Sequence, residues 1–296
     1  MDSKPVLFAV DQAWAAERAW GVMRPTFIRN DSQEINFALS NLRASMQRIT
    51  RDLESVAFDE GLDTRLVASV ESGGNWRKRD YPEYKANRPK RDEKHLEYLA
   101  RSRGVFVDLG FELYCAPGCE GDDALATMAT LSASQGWDVR VFSSDADLLQ
   151  VVRDDVVVLA PWGRSADRKT RKPGYQRFDT AAVLERYGFG PTRLPLYKAI
   201  SGDKSDNIPG ALGLGPQAGR RLAADYKNVK EMFEHLEVIG STDRAKLNAA
   251  GQERLALFER LCTLRCDANL ADVHPTQPIA RRAPRLPDLA LAGAAD

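Results

Sequence analysis

The sequence predicts an α/β protein: a doubly wound, mostly parallel sheet with helices on both faces, followed by a smaller helical region. Three observations predict it. Short apolar runs alternate with helix-period stretches as far as Phe178. Acidic residues recur at the ends of those runs. Beyond Phe178 the strand signals stop, and helical periods separated by Gly-rich turns take over.

The elements follow in order. Pro5–Val10 reads as a fully buried strand ending at Asp11, and Gln12–Trp20 as a helix that Asp11 could cap. Asn36–Phe58 carries Phe37, Leu39, Leu42, Met46, Ile49, Leu53 and Val56 at helical spacing. Arg65–Val70 is a second strand, and Glu71 ends it as Asp11 ends the first. Phe111–Cys115, Val139–Ser143 and Val156–Ala160 are further strands, and Ala124–Gln135 is a helix. Residues 162–175 read as a basic loop. Helices are expected over 179–187, 194–200, up to about 226, 229–236 and 252–265. From about Asp272 the chain reads as a disordered tail. The domain reading is an α/β domain over 1–177, with a distinct region at about 77–104, a helical domain over 178–271 and the tail 272–296.

Length and composition fit this layout. With 296 residues and 43% hydrophobic content, the chain can build one large core and a smaller second one. Lys and Arg number 42 against 42 Asp and Glu, so the formal charge is zero. A basic excess is therefore missing, but clustered acids can cancel a basic binding surface in the sum. Cys115 and Cys119, like Cys262 and Cys266, stand four apart, which is not the Cys-x2-Cys spacing of a zinc knuckle. Free thiols are the expected state. No stretch resembles a signal peptide or membrane span, so the reading is soluble and cytoplasmic.

The chain is organised around Glu120-Gly121-Asp122-Asp123, which stands directly before a helical pattern. Carboxylates this close repel one another unless a cation neutralises them. Hard divalent ions such as Mg2+ prefer carboxylate oxygens. The bland alternative is an acidic first helical turn complementing the macrodipole. Ser144-Asp145-Ala146-Asp147 places two more acids at a strand end, where open α/β sheets put their ligands.

Two further stretches stand out. Arg77 to Lys94 interleaves cations with Trp76, Tyr81 and Tyr84, the chemistry that grips a nucleic-acid strand: charge on phosphates, rings under bases. A solvated charged surface is its plain alternative. Later, Gly202-Asp203-Lys204-Ser205-Asp206-Asn207 leads into Ile208–Gly215, a Gly-rich hairpin between helices whose N–H groups could hold a phosphate.

Taken together these blocks resemble the structure-specific 5′-nucleases: flap endonuclease-like 5′→3′ exonucleases of bacteria and phages, and the nuclease domain of bacterial DNA polymerase I. The matching blocks are Val10-Asp11 with Arg18-Ala19-Trp20, Trp76-Arg77 with Tyr84–Arg88, the quartet 120–123, Ser144–Leu148, and Tyr187-Gly188 with Gly202–Gly210. They occur in the family's order. The resemblance implies a PIN-like nuclease sheet, a helical arch over about 77–104, and a helix–hairpin–helix domain that binds duplex DNA through Gly210, Gly213 and Gly215 of the 208–215 hairpin. Two Mg2+ ions, replaceable by Mn2+, would be held by a pool of Asp11, Glu71, Glu120, Asp122, Asp123, Asp145, Asp147, Asp203 and Asp206. Asp11, Glu71, Glu120 and Asp122 fall to the first ion, and Asp145, Asp147, Asp203 and Asp206 to the second. Arg77, Lys85 and Arg88 would face the scissile phosphate, and Tyr84 would bind DNA. The resemblance also allows K+ at the hairpin.

The implied activity is hydrolysis of DNA phosphodiesters at 5′ ends and flap junctions, for primer or flap removal, by a monomer acting on branched or 5′-ended duplex with a single-stranded flap. Two ions about 3.5–4 Å apart would hold the attacking water and the leaving oxygen. Two departures stand against the family pattern. Glu71 replaces the usual Asp and adds a methylene, and Gln12, Trp14 and Ala15 alter the first strand's exit, which predicts changed substrate contacts. The rival readings are a non-catalytic DNA-binding protein on the same scaffold and a PIN-like endoribonuclease.

Overall fold

The computed structural model describes residues 4–21, 31–59, 63–161 and 175–273. In chain order the elements are β1 (Val6–Asp11), α1 (Gln12–Gly21), α2 (Asp31–Asp59), β2 (Thr64–Ser69), α3 (Trp76–Asp80), α4 (Glu93–Asp108), β3 (Glu112–Cys115), α5 (Gly121–Ser134) and β4 (Asp138–Phe142). There follow β5 (Val156–Pro161), β6 (Tyr175–Phe178), α6 (Thr180–Tyr187), α7 (Leu194–Ser201), α8 (Pro216–Asp225), α9 (Val229–Glu234), α10 (Ser241–Ala250), α11 (Gln252–Cys262) and β7 (Ala271–Asp272). Two compact units result. One holds Met1–Gly74, Lys90–Ser144 and Arg265–Asp296; the other holds Asn75–Pro89 and Asp145–Leu264.

In the first unit the strand order is β4-β1-β2-β3-β7. β1 runs parallel to β2 and β4, β2 runs parallel to β3, and β7 is antiparallel to β3. Every residue of β1 is buried, which explains its unbroken apolar run. α5 packs on the sheet through Ala124, Leu125, Ala126, Met128 and Ala129, while α1, α2 and α4 pack on one another. The register sets Asp11 opposite Ser69 at the carboxyl ends of β1 and β2. In this way the sheet itself delivers acids to one edge.

In the second unit β5 and β6 form an antiparallel pair, with Val158 opposite Phe178. The remainder is helical. Asp179 caps α6 by accepting Ala182 N–H, and Gly188 ends that helix at φ 82°. The Gly202–Gly210 approach is the tightest backbone contact here. A Cβ on Gly210 would lie 2.4 Å from Gly202 N, so no other residue fits.

Several expectations needed correction. β6 escaped notice because Tyr175-Gln176-Arg177-Phe178 is short and its centre is polar. α10 escaped because it buries only Leu247. The expected tail begins with a structured residue, since Asp272 pairs with Tyr114 in β7; positions 274–296 lie outside the described residues, as does most of the expected loop at 162–174. The compact units divide the chain at 74/75, 89/90, 144/145 and 264/265. The 77–104 region is split, with α3 in the second unit and α4 in the first.

Candidate metal centre

The first unit carries one set of acids. Asp11 is buried and its Oδ1 accepts Trp14 N–H at 3.0 Å, capping α1. Glu71 follows β2, with its carbonyl accepting from the Arg103 guanidinium at 3.2 Å. Glu120 is the N-cap of α5, and Asp122 lies in that helix's first turn. A Cβ on Gly121 would meet Glu71 Oε1 and Ser69 Oγ, each at 3.6 Å, so Glu71 reaches to the start of α5. Asp11 and Glu71 thus stand at the carboxyl ends of β1 and β2, and Glu120 and Asp122 at the N-terminus of α5.

Asp123 is placed differently. It is 0% exposed. Its Oδ2 accepts Glu120 N–H at 3.1 Å, completing a capping box, and its Oδ1 accepts Arg265 N–H at 2.9 Å. Thr127 Oγ1 donates to Arg265 O and accepts from Ala268 N–H. Both Asp123 oxygens are therefore engaged in holding α5 and the segment leading to β7.

The second unit carries a tighter set. Asp147, Asp203 and Asp206 each offer a carboxylate oxygen, and these atoms lie within 4.8 Å of one another. Asp145 caps the 310 helix Ala146–Val151 by accepting Asp147 N–H at 2.9 Å. Asp203 Oδ1 accepts from Ser205 N–H at 2.8 Å and from the Ser205 hydroxyl at 2.6 Å. The Lys198 ammonium, on α7, contacts Asp147 and lies 2.7 Å from Asp203 Oδ2. Burial pushes the Asp147 carboxyl up to about 6, against the pull of Lys198. Burial also opposes ionisation of Asp203, but Lys198 and Ser205 outweigh it and hold that carboxyl down at about 2. Lys198 is itself half-buried, which works against its charge; the two acids more than compensate, and its pKa is raised. An oxygen-only donor set with excess negative charge fits a hard divalent ion. Lys198 is the residue beside these acids that sequence reasoning missed. Its signal was a lone cation in the apolar helix Leu194–Ser201, five residues before Asp203.

The Asn75–Pro89 segment of this unit closes on the same acids. Tyr84 OH donates to Asp206 Oδ2 at 2.8 Å, Arg88 donates to Asp206 Oδ1 at 2.9 Å, and Lys85 Nζ lies 3.8 Å from that oxygen. Backbone bonds tighten the joint: Lys85 N–H donates to Asp206 O, and Asn87 donates to Lys204 O. Lys85 and Asn207 both adopt positive φ there, at 56° and 59°. Lys85 and Arg88 thus stand beside Asp206. Tyr84 is 2% exposed, so its ring cannot lie under a base. Arg77 is 1% exposed; its guanidinium donates to Leu261 O at 2.7 Å and Thr263 O at 2.9 Å, at the C-terminus of α11. That is a helix-end clamp and not a phosphate contact. Gln12, expected at the substrate, is buried instead and donates to Ser102 Oγ at 2.5 Å.

In the hairpin, Gly210 is buried by its contact with Gly202, while Gly213 and Gly215 are exposed. Lys246 Nζ caps Gly213 O at 2.9 Å, and Gly215 precedes Pro216, the first residue of α8. All four cysteines are free thiols. No helix among the described residues is long and apolar enough to cross a membrane.

Acids at the carboxyl ends of parallel strands in one unit, and a carboxylate cluster beside lysines and an arginine in the other, are each features of metal-dependent nucleases. Residues 6–188 match the 5′-3′ exonuclease N-terminal resolvase-like domain, and residues 189–283 match the 5′-3′ exonuclease C-terminal SAM fold. The chain belongs to the 5′-3′ exonuclease family. It is 30% identical over 259 residues to DNA polymerase I of Mycobacterium bovis, covering 87% of this chain and 26% of that protein. It is 32% identical over 214 residues to the thermostable DNA polymerase I of Thermus thermophilus, covering 72% and 24%. The chain thus spans about a quarter of the length of these curated relatives. It shares its fold with the bacteriophage T5 flap endonuclease, solved as a pseudo-enzyme–product complex with DNA and metal ions. The TM-score is 0.63 at 22% identity, over 88% of this chain and 89% of that one.

Proposed function

We propose that this protein is a divalent-metal-dependent 5′→3′ exonuclease and 5′-flap endonuclease. Its substrate is 5′-ended or branched DNA, and its task is removal of primers or flaps in replication or repair. The observation that carries the proposal is the Asp147–Asp203–Asp206 cluster, with Lys198, Lys85 and Arg88 set around it. Asp11, Glu71, Glu120 and Asp122 would hold one ion, and Asp145, Asp147, Asp203 and Asp206 a second. Mg2+ is the ion proposed, with Mn2+ as a substitute. When bound, such ions lower the pKa of the attacking water and offset charge on the transferring phosphorus.

The chain's own residues do the rest. Lys198 balances Asp147 and Asp203 before ion binding, and its ammonium is displaced toward the phosphate when they take up a cation. Lys85 and Arg88, now on Asp206, turn to the non-bridging oxygens of the scissile phosphate and stabilise the charge that develops there. Asp123 and Tyr84 keep the acid-bearing segments in place. Exposed Gly213 and Gly215 present backbone N–H groups to duplex phosphates without reading sequence, and K+ at 208–215 would serve the same grip. The protein acts as a monomer in the cytoplasm.

The test is incubation of the purified protein with 5′-flap DNA and with the matching RNA, in Mg2+ or in EDTA. Cleavage of the DNA in Mg2+ alone, leaving a 5′-phosphate on the downstream piece, is expected. Binding without cleavage in both Mg2+ and Mn2+, or cleavage of RNA only, would overturn the proposal.

A further inference from the structure

Ser69, the last residue of β2, is fully buried, and its hydroxyl lacks a hydrogen-bond partner. Buried polar groups are nearly always paired, so each exception needs a reason. The surroundings of Ser69 supply one. It stands opposite Asp11 in the sheet. Its Oγ lies 3.6 Å from the point a Cβ on Gly121 would occupy, and Glu71 Oε1 lies 3.6 Å from the same point. The hydroxyl therefore opens onto the gap between Glu71 and the start of α5.

Gly121 needs its own account. It lies between Glu120 and Asp122, and its φ is not in the left-handed region. Backbone geometry does not call for glycine here, and helix propensity favours alanine. What glycine leaves is space. A methyl group at 121 would sit in van der Waals contact with the Glu71 carboxylate and the Ser69 hydroxyl, covering one side of both. The main chain at Glu71 is tied by Arg103, and the residue is exposed.

We propose that Ser69 and Gly121 are positioning residues for the ion held by Asp11, Glu71, Glu120 and Asp122. The Ser69 hydroxyl is the donor that fixes the Glu71 carboxylate, directly or through a shared water. Gly121 keeps open the space that this longer side chain uses. The inference rests on the metal-binding reading above.

The test is Mn2+ titration of the whole chain, by calorimetry and by thermal unfolding. The proteins are wild type, Ser69→Ala, Gly121→Ala, Glu71→Asp and the double variant Glu71→Asp/Gly121→Ala. Ser69→Ala is expected to melt no lower than wild type without metal, because it deletes an unpaired hydroxyl. Its Mn2+ affinity should fall about tenfold, the worth of one hydrogen bond to a charged group. The metal-induced rise in melting temperature should shrink with it. Gly121→Ala should raise metal-free stability yet weaken Mn2+ binding about threefold to tenfold through desolvation of Glu71. In the Glu71→Asp background, whose shorter side chain clears the methyl, the same change should cost less than about twofold by the logic of a double-mutant cycle. If wild type binds Mn2+ and both single variants bind it equally well, the positioning role is overturned while the metal centre stands. If wild type binds no Mn2+, the metal centre fails and this inference fails with it.

Discussion

Tyr84 donates its hydroxyl to Asp206 Oδ2 at 2.8 Å, and both residues are buried. An aromatic expected to stack on a base is instead a strut under Asp206, an acid of the proposed metal centre. Phenylalanine at this position keeps the ring and loses only the donor. Tyr84→Phe should therefore lower kcat about fivefold to tenfold and leave flap-DNA affinity unchanged, in line with the loss of one hydrogen bond to a carboxylate. Stopped-flow cleavage beside a fluorescence binding titration separates the two. A fully active Tyr84→Phe would return Tyr84 to the role of a stacking surface.

Lys198 competes with any cation for Asp147 and Asp203. Replacing it by methionine keeps the length and apolar stem but removes the charge. Without metal, Lys198→Met should lose about 2 kcal/mol of stability, because two half-buried carboxylates lose their counter-charge. With Mn2+ the affinity should instead rise, about threefold to tenfold, on the scale of a partly screened ion pair. Denaturant unfolding with and without Mn2+ measures both effects. An unchanged Mn2+ affinity would mean that Lys198 does not occupy the cation's place.

Neighbouring carboxylates in the first unit should part company on mutation. Asp122→Asn removes a proposed metal ligand and should abolish cleavage while leaving flap binding intact. Asp123→Asn puts an amide where a carboxylate oxygen accepts a backbone N–H, so it should cost about 1–3 kcal/mol of stability. Folded Asp123→Asn should keep most of its activity. Equal loss of turnover in both, at full stability, would restore Asp123 to the metal pool.

How much of this was legible in the sequence depends on whether a phase was available. Asp11 and Glu71 could be placed because a buried strand has a definite end. Asp147, Asp203 and Asp206 were read from their blocks, though their convergence within 4.8 Å lies beyond any local pattern. Asp123 was readable in principle: Glu120 and Asp123 have the N-cap-to-N3 spacing of a capping box. Repulsion among adjacent acids drew attention to metal binding instead. Arg77 and Tyr84 were misplaced for a different reason. Their segment was judged by composition, and composition carries no information about which side faces inward. Lys198 went unread because nothing within one turn of it is acidic.

Arg77 is predicted to behave as a structural clamp. Its Nε and one terminal nitrogen hold the carbonyls of Leu261 and Thr263, and Gln150 holds Cys262 O and Leu264 N–H beside them. A cation at a helix C-terminus also suits the macrodipole. Arg77→Met should lower stability by about 2–4 kcal/mol, since the buried Leu261 carbonyl and the part-buried Thr263 carbonyl lose their donor. At a temperature where the variant is folded, kcat should remain within about threefold of wild type, because the clamp makes no phosphate contact. A stable Arg77→Met with turnover down a thousandfold would show that the guanidinium reaches the substrate.

The sheet edge offers a pH test that leaves the acids of the site untouched. Arg65 Nε donates to Glu112 Oε1 at 2.5 Å, a second guanidinium nitrogen reaches Oε2, and Tyr114 OH donates to Oε2 at 2.7 Å. The hydrogen bond from Arg65 is the main reason the Glu112 carboxyl lies below its usual range, with burial opposing and Tyr114 assisting. A carboxyl depressed in the folded state binds its proton more readily once unfolded. Its stabilisation is therefore complete above the ordinary Glu value of about 4.3 and is lost as pH falls through the depressed folded value. Because the pair is partly exposed, the contribution should be no more than about 1 kcal/mol. Urea unfolding of wild type and Glu112→Gln from pH 7 to pH 2.5 should show the gap between them closing below about pH 4, in step with carboxylate protonation. A gap that persists unchanged at the acidic end would mean that Glu112 contributes through packing alone.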